Sequence, residues 1–133
     1  MPGSEHTQAA PVRLVIVDDH PGARAGLALL LGDLEDMDLV GLAVDGEDAT
    51  RLCRRMRPDV VLMDLSMPRL DGVEATRRIL SERPQTRVVV VTSGSAGRLA
   101  QARAAGAVAC VLKHESEEVI IEAVRAAAAR GMH

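Results

Sequence analysis

The sequence predicts an α/β protein: five parallel strands in one sheet, with five helices laid over its two faces. Three observations predict it. Five short apolar runs recur along the chain, and a helical pattern separates each from the next. The runs are apolar nearly throughout instead of alternating with polar residues, which marks strands buried on both faces. Strict alternation of strand and helix in turn implies right-handed crossovers. The length of 133 residues suits a single domain with a real core.

The elements follow in order. Residues 1–11 are small and polar and predict a loose tail, and the domain spans 12–130. The first strand is 12–17 (VRLVIV). Pro21 is a good first-turn residue, and Leu27, Leu30, Leu31 and Leu34 after it lie on one helical face. The second strand is 39–44 (LVGLAV). Asp45 then caps a helix carrying Ala49, Leu52, Cys53 and Met56, which Pro58 stops. The third strand is 60–63. Asp71 and Glu74 resemble a capping box that opens a helix over roughly 72–82. The fourth strand is 88–91, with an Arg/Ala-rich helix near 97–105. The fifth strand is 109–112. Ser116, with Glu117 and Glu118, starts the last helix through Val119, Ile120 and Val124 to an alanine tract and Gly131. Residues 131–133 are where a linker would begin.

Composition excludes several functions. The net charge is −3, so the chain as a whole has no electrostatic case for binding nucleic acid. The arginines at 54, 55 and 57, and at 77 and 78, are expected on solvated helix faces. Cys53 and Cys110 lie far apart, and the four histidines form no ligand pattern, which argues against a zinc site and fits a reducing cytoplasm. No signal peptide is expected from the N-terminal residues, and no apolar run reaches membrane-spanning length. Phe, Tyr and Trp are absent, so the core must be aliphatic.

A sheet of this kind places its ligand site at the carboxyl ends of its strands. The first strand ends in Asp18 and Asp19, the third in Asp64, the fourth in Thr92 and the fifth in Lys113. Singly, each has a bland explanation: acids cap helices, threonine ends strands, and a lysine extends into solvent. Lys113 is nevertheless the only lysine among 16 basic residues. A lysine is a compact point charge on a thin stem, where arginine is a planar fork. Together, three carboxylates, a hydroxyl and a lysine would share one rim. Crowded carboxylates raise one another's pKa unless a cation sits among them. Oxygen ligands with room for water favour Mg²⁺ or a similar hard ion. Such a pocket suits a phosphoryl group, whose oxygens the metal and lysine would neutralise. With no P-loop or GxGxxG to cradle a nucleotide, the group must come from elsewhere, and an aspartate can accept it covalently.

The stretches VRLVIVDDHPGARAGLALLL, PDVVLMDLSMPRLDG, VVVVTSG and AAGAVACVLKHE resemble the receiver domain of two-component response regulators over about residues 12–130. The DDHP opening and the ending around Lys113 resemble the subgroup whose full-length members carry a C-terminal LuxR-type helix-turn-helix. The resemblance implies a flavodoxin-like, doubly wound sheet in the order 2-1-3-4-5. It implies that Asp64 is the phosphoacceptor and that Asp19, Asp64 and the backbone carbonyl of Ser66 ligate Mg²⁺, with Asp18 holding a metal-bound water. Lys113 would pair first with Asp64 and then with the phosphoryl group, and Thr92 would move to it and drive the switch. The implied partner is a sensor histidine kinase, in the cytoplasm, with a homodimer also allowed. DNA would be reached only through a further C-terminal domain, so the chain by itself is expected not to bind it.

Two features depart from the family pattern. Cys110 stands where a Tyr or Phe usually couples to the fourth-strand hydroxyl. Thr92 and Lys113 are 21 positions apart, one fewer than usual. Both concern the switch surface, not the phosphorylation chemistry. Cys110 itself is expected to be a small buried filler. Two other readings stand beside this one. A haloacid-dehalogenase-like phosphatase would need an Asp where Ser66 stands. A receiver that is not phosphorylated, or switches atypically, would act as a protein-interaction module.

Overall fold

The computed structural model describes residues 10–65, 72–94 and 96–130. Strands β1 (Val12–Val17), β2 (Met37–Ala43), β3 (Val60–Asp64), β4 (Arg87–Thr92) and β5 (Ala109–Leu112) form one parallel sheet in the order β2-β1-β3-β4-β5. Helices α1 (Pro21–Gly32), α2 (Gly46–Met56), α3 (Gly72–Glu82), α4 (Ala96–Ala105) and α5 (Glu117–Arg130) alternate with them. The flavodoxin-like order that the resemblance implied is the order observed.

Successive strand residues point to opposite faces, which splits the core into two layers. Val15, Val17, Val61, Met63, Val88 and Val90 face one way and bury Ala49 and Cys53 of α2, Val73 and Ile79 of α3, and Ala102 of α4. Leu14, Ile16, Val60, Leu62, Val89 and Val91 face the other and bury Leu31 of α1 with Ile120, Val124 and Ala127 of α5. The core is aliphatic throughout. Each fully buried Val, Leu or Ile side chain contributes about 1.5–3 kcal/mol relative to exposure.

Helix starts and stops follow local chemistry. Pro21 occupies the first turn of α1. The Asp45 carboxylate accepts the Asp48 N–H at 2.8 Å, and the Asp48 carboxylate accepts the Val44 N–H at 3.0 Å. α2 ends at Met56, where Arg57 takes a left-handed conformation (φ 48°) ahead of Pro58. The Ser116 carbonyl accepts the Val119 N–H at 3.1 Å at the start of α5. Asp71, Gly131, residues 1–9 and residues 132–133 lie outside the described residues, so the expectations for the tail, the capping box and the linker do too.

One strand is displaced from expectation. β2 runs from Met37 to Ala43, not 39–44, and Met37 pairs with Val12. β2 is an edge strand, so exposed Asp38 fits within it without breaking the ladder, while apolar Val44 lies beyond the strand and is 45% exposed. β3 and β4 are longer than their apolar runs because they take in Asp64 and Thr92, whose side chains are buried.

Arg125 of α5 clasps Asp36, in the turn before β2, with bonds of 2.8 and 3.1 Å. The guanidinium holds the Asp36 carboxyl below its usual range. Both side chains are half exposed, so solvent screens the pair and its contribution to stability is small. Its contribution is full above the ordinary carboxylate pKa and is lost as pH falls through the depressed folded value. Asp36→Asn should therefore lower the melting temperature slightly at neutral pH and not at all in strong acid, as checked by thermal melts across pH.

Candidate functional site

The carboxyl ends of β1, β3, β4 and β5 meet at one rim. Val17 pairs with Met63 and Asp64 with Val91, so the residues just beyond them are neighbours by register. Lys113 is carried in by a bond of 2.8 Å from its N–H to the Thr92 carbonyl. Asp18, Asp19 and Asp64 each bring one carboxylate oxygen within 4.8 Å of the others. Asp18 and Asp64 are 3% exposed, whereas Asp19 is open to solvent. The Lys113 ammonium lies 3.3 Å from one Asp64 oxygen and 3.4 Å from the other.

The electrostatics of the acid cluster are unfavourable. Burial pushes the Asp18 carboxyl above its usual range. The His20 N–H, donated to it at 2.9 Å, opposes this, as does Lys113, while the charges of Asp64 and Asp19 add to the rise. One ammonium thus faces three carboxylates. A hard, oxygen-seeking dication fits this donor set, because it would relieve the repulsion that burial has created.

Thr92 is buried at the end of β4, and its hydroxyl accepts the Gly94 N–H at 3.4 Å. Gly94 has φ 118°, which permits the sharp exit from β4 towards α4. Gly72, at the start of α3, meets the site from below: a Cβ there would lie 2.7 Å from the Asp64 carbonyl oxygen. Only glycine allows α3 this close to the strand that carries Asp64. The structure therefore brings together Asp18, Asp19, Asp64 and Lys113, and places Thr92 at the neighbouring strand end. Ser66 lies outside the described residues.

Two arginines escaped the sequence reading. Arg24 of α1 donates to the Asp18 carbonyl at 2.8 Å, and Arg98 of α4 donates to the Leu65 carbonyl. Both grip backbone next to the site acids. Arg24 lies within the first stretch that carries the resemblance but has no role assigned there, Arg98 lies in none of them, and each reaches the rim because its helix is packed beside it.

The chain matches the response regulator receiver domain family over residues 14–125 and belongs to that family. Among individual proteins, it is 42% identical over 118 residues to the response regulator GacA of Pseudomonas aeruginosa, covering 86% of this chain and 54% of GacA. It is 38% identical over 117 residues to the transcriptional regulatory protein LiaR of Bacillus subtilis, covering 87% of this chain and 56% of LiaR. The chain thus spans about half the length of these curated relatives. Among solved structures, the signal receiver domain of NarL from Mycobacterium tuberculosis superposes with a TM-score of 0.86 at 33% identity, covering 91% of this chain and 98% of that one. A LuxR-family response regulator from Aurantimonas gives 0.84 at 34% identity, covering 90% and 86%. The likeness to GacA, LiaR and LuxR-family regulators places the chain with the LuxR-type subgroup.

Proposed function

We propose that Asp64 accepts a phosphoryl group from the phosphohistidine of a sensor histidine kinase, with Mg²⁺ as cofactor. The observation that supports this most is the convergence of three carboxylates and the only lysine on one rim. A carboxylate oxygen of Asp64 forms the new P–O bond as the P–N bond to the donor imidazole breaks. Asp19, Asp64 and the Ser66 carbonyl would hold Mg²⁺ directly, and Asp18 through water. The ion supplies charge neutralisation for the phosphoryl oxygens. Lys113 exchanges its Asp64 partner for a phosphoryl oxygen, and the Thr92 hydroxyl donates to another. Among the described residues, no helix is long and apolar enough to cross a membrane. The relatives named as transcriptional regulators support an output on transcription, through a DNA-binding domain outside residues 12–130. Intact-mass measurement after acetyl phosphate treatment tests the reading: one added phosphoryl group with Mg²⁺ and none with EDTA. Labelling that EDTA leaves unchanged would overturn it.

Cys110 supports an atypical route from site to surface. It is half-buried against the layer that contains Val90, and burial pushes its thiol pKa up. An aromatic ring at this place would bury about 150–250 Å² when it turns inward. A thiol has far less to gain, well under ~1 kcal/mol at about 25 cal/mol per Å². A beryllofluoride–Mg²⁺ mimic should therefore shift backbone NMR signals around Asp64, Thr92, Lys113 and the 93–97 segment. Signals at Cys110 and in α5 should move less. A large response centred on Cys110 would refute this.

A further inference from the structure

We propose that Arg98 is a positioning residue for Asp64. From α4, its guanidinium finishes a sheet ladder that the backbone of β4 leaves unfinished, and so holds the strand end on which Asp64 stands. This inference rests on Asp64 being the phosphoacceptor. In a parallel pair, a residue donates its N–H to one residue of the neighbouring strand and accepts at its carbonyl from the residue two further on. Leu65 makes the first of these bonds, donating to the Val91 carbonyl at 2.9 Å. The second would come from Ser93, but β4 ends at Thr92 and the chain turns away at Gly94 with φ 118°. Leu65 is 1% exposed, so a carbonyl left there without a donor would be costly. α4 begins at Ala96, which sets Arg98 on its first turn, and the Arg98 guanidinium donates to this carbonyl. A cationic donor makes the bond stronger than the backbone bond it replaces.

Three elements thus grip the residue that follows Asp64. β4 takes its N–H, α4 takes its carbonyl, and α3 presses on its side chain, since a Cβ on Gly72 would lie 2.8 Å from Leu65 Cδ2. A peptide unit is planar, so fixing both polar groups of Leu65 leaves the backbone of Asp64 little freedom. The Asp64 carboxylate is then already ordered when a cation or a phosphoryl group arrives, which lowers the cost of binding either. The bond acts on α4 as well. Among the described residues of α4 only Ala102 is buried, whereas α3 buries Val73, Thr76 and Ile79. A helix seated this thinly depends on Arg98 for its place beside the site. The same bond gives the site a route to α4 that does not pass through Cys110.

The test is a Mg²⁺ titration of the ¹⁵N-labelled 133-residue chain, followed at the amides of Asp18, Asp64 and Lys113. Arg98→Gln should weaken Mg²⁺ binding about tenfold, the low end for a residue that orients a metal ligand. Arg98→Lys keeps a cationic donor for the single carbonyl and should bind within about threefold of wild type. Ala102→Gly loosens α4 without touching the bond; it should lower the melting temperature and leave Mg²⁺ affinity within about twofold. Should Arg98→Gln not fold, the wild type decides. Coupling is reciprocal, so Mg²⁺ should slow hydrogen exchange at α4 amides 99–105 by about threefold or more. Unchanged Mg²⁺ affinity in Arg98→Gln, an equal loss in Ala102→Gly, no recovery in Arg98→Lys, or α4 exchange indifferent to Mg²⁺ would each overturn the proposal while leaving the role of Asp64 untouched. A wild type that binds no Mg²⁺ would instead overturn the reading of the acid pocket, and this inference with it.

Discussion

Asp64→Asn should abolish labelling by acetyl phosphate, a fall of at least about 100-fold, while leaving the fold intact. An amide oxygen is a poor nucleophile, and the neighbouring carboxylates Asp18 and Asp19 lie on a different strand end from the one Lys113 addresses. The substitution removes one of three crowded negative charges, which favours the folded state. It also leaves Lys113 without its partner, but that side chain is 39% exposed and water can solvate the ammonium. The two effects oppose each other, so stability should stay within about 1 kcal/mol of wild type. Intact mass and a thermal melt on the same sample check both halves. Equal labelling of the variant would remove Asp64 from the role proposed for it.

Asp18→Asn should raise stability in EDTA by roughly 0.5–2 kcal/mol and at the same time weaken Mg²⁺ binding. Burial and the charges of Asp64 and Asp19 raise the Asp18 pKa, so its ionised form is penalised in the folded state. Asparagine keeps the oxygen that accepts the His20 N–H and discards the charge. The sign of the pH dependence follows from the raised pKa. Protonating Asp18 favours the folded wild type, so its stability penalty is full at neutral pH. The penalty shrinks as pH falls through the raised folded value towards the ordinary carboxylate value. The advantage of the variant should shrink over the same interval. Melts at several pH values in EDTA, with Mg²⁺ titrations beside them, measure both trends. A variant that is less stable than wild type at neutral pH would show that the acid pocket carries no strain.

The first and last strands and the starts of α1, α2 and α5 were legible because their signals are local. A double-faced apolar run such as VVVV, a proline at a helix start and an aspartate at a cap act through the residues beside them. β2 was misplaced by two residues at its start because an edge strand tolerates an exposed Asp38, which breaks the apolar pattern without breaking the pairing.

The candidate site divides in the same way. That Asp18, Asp19, Asp64, Thr92 and Lys113 stand at strand ends follows from sequence alone, since each comes straight after an apolar run. That they belong to a receiver was legible only as a resemblance of the stretches around them to that family. What only the tertiary structure decided is who meets whom. The parallel register sets Asp64 beside Val91 and the rim beyond it, and the bond from Lys113 to Thr92 brings the ammonium to 3.3 Å from Asp64. Arg24 stands within a stretch that carries the resemblance but was given no contact there, and Arg98 at the rim stands in no such stretch. The partner of Arg98 is 33 residues away, just past β3. Burial and long-range pairing are properties of the packed sheet, and no window of neighbouring residues contains them.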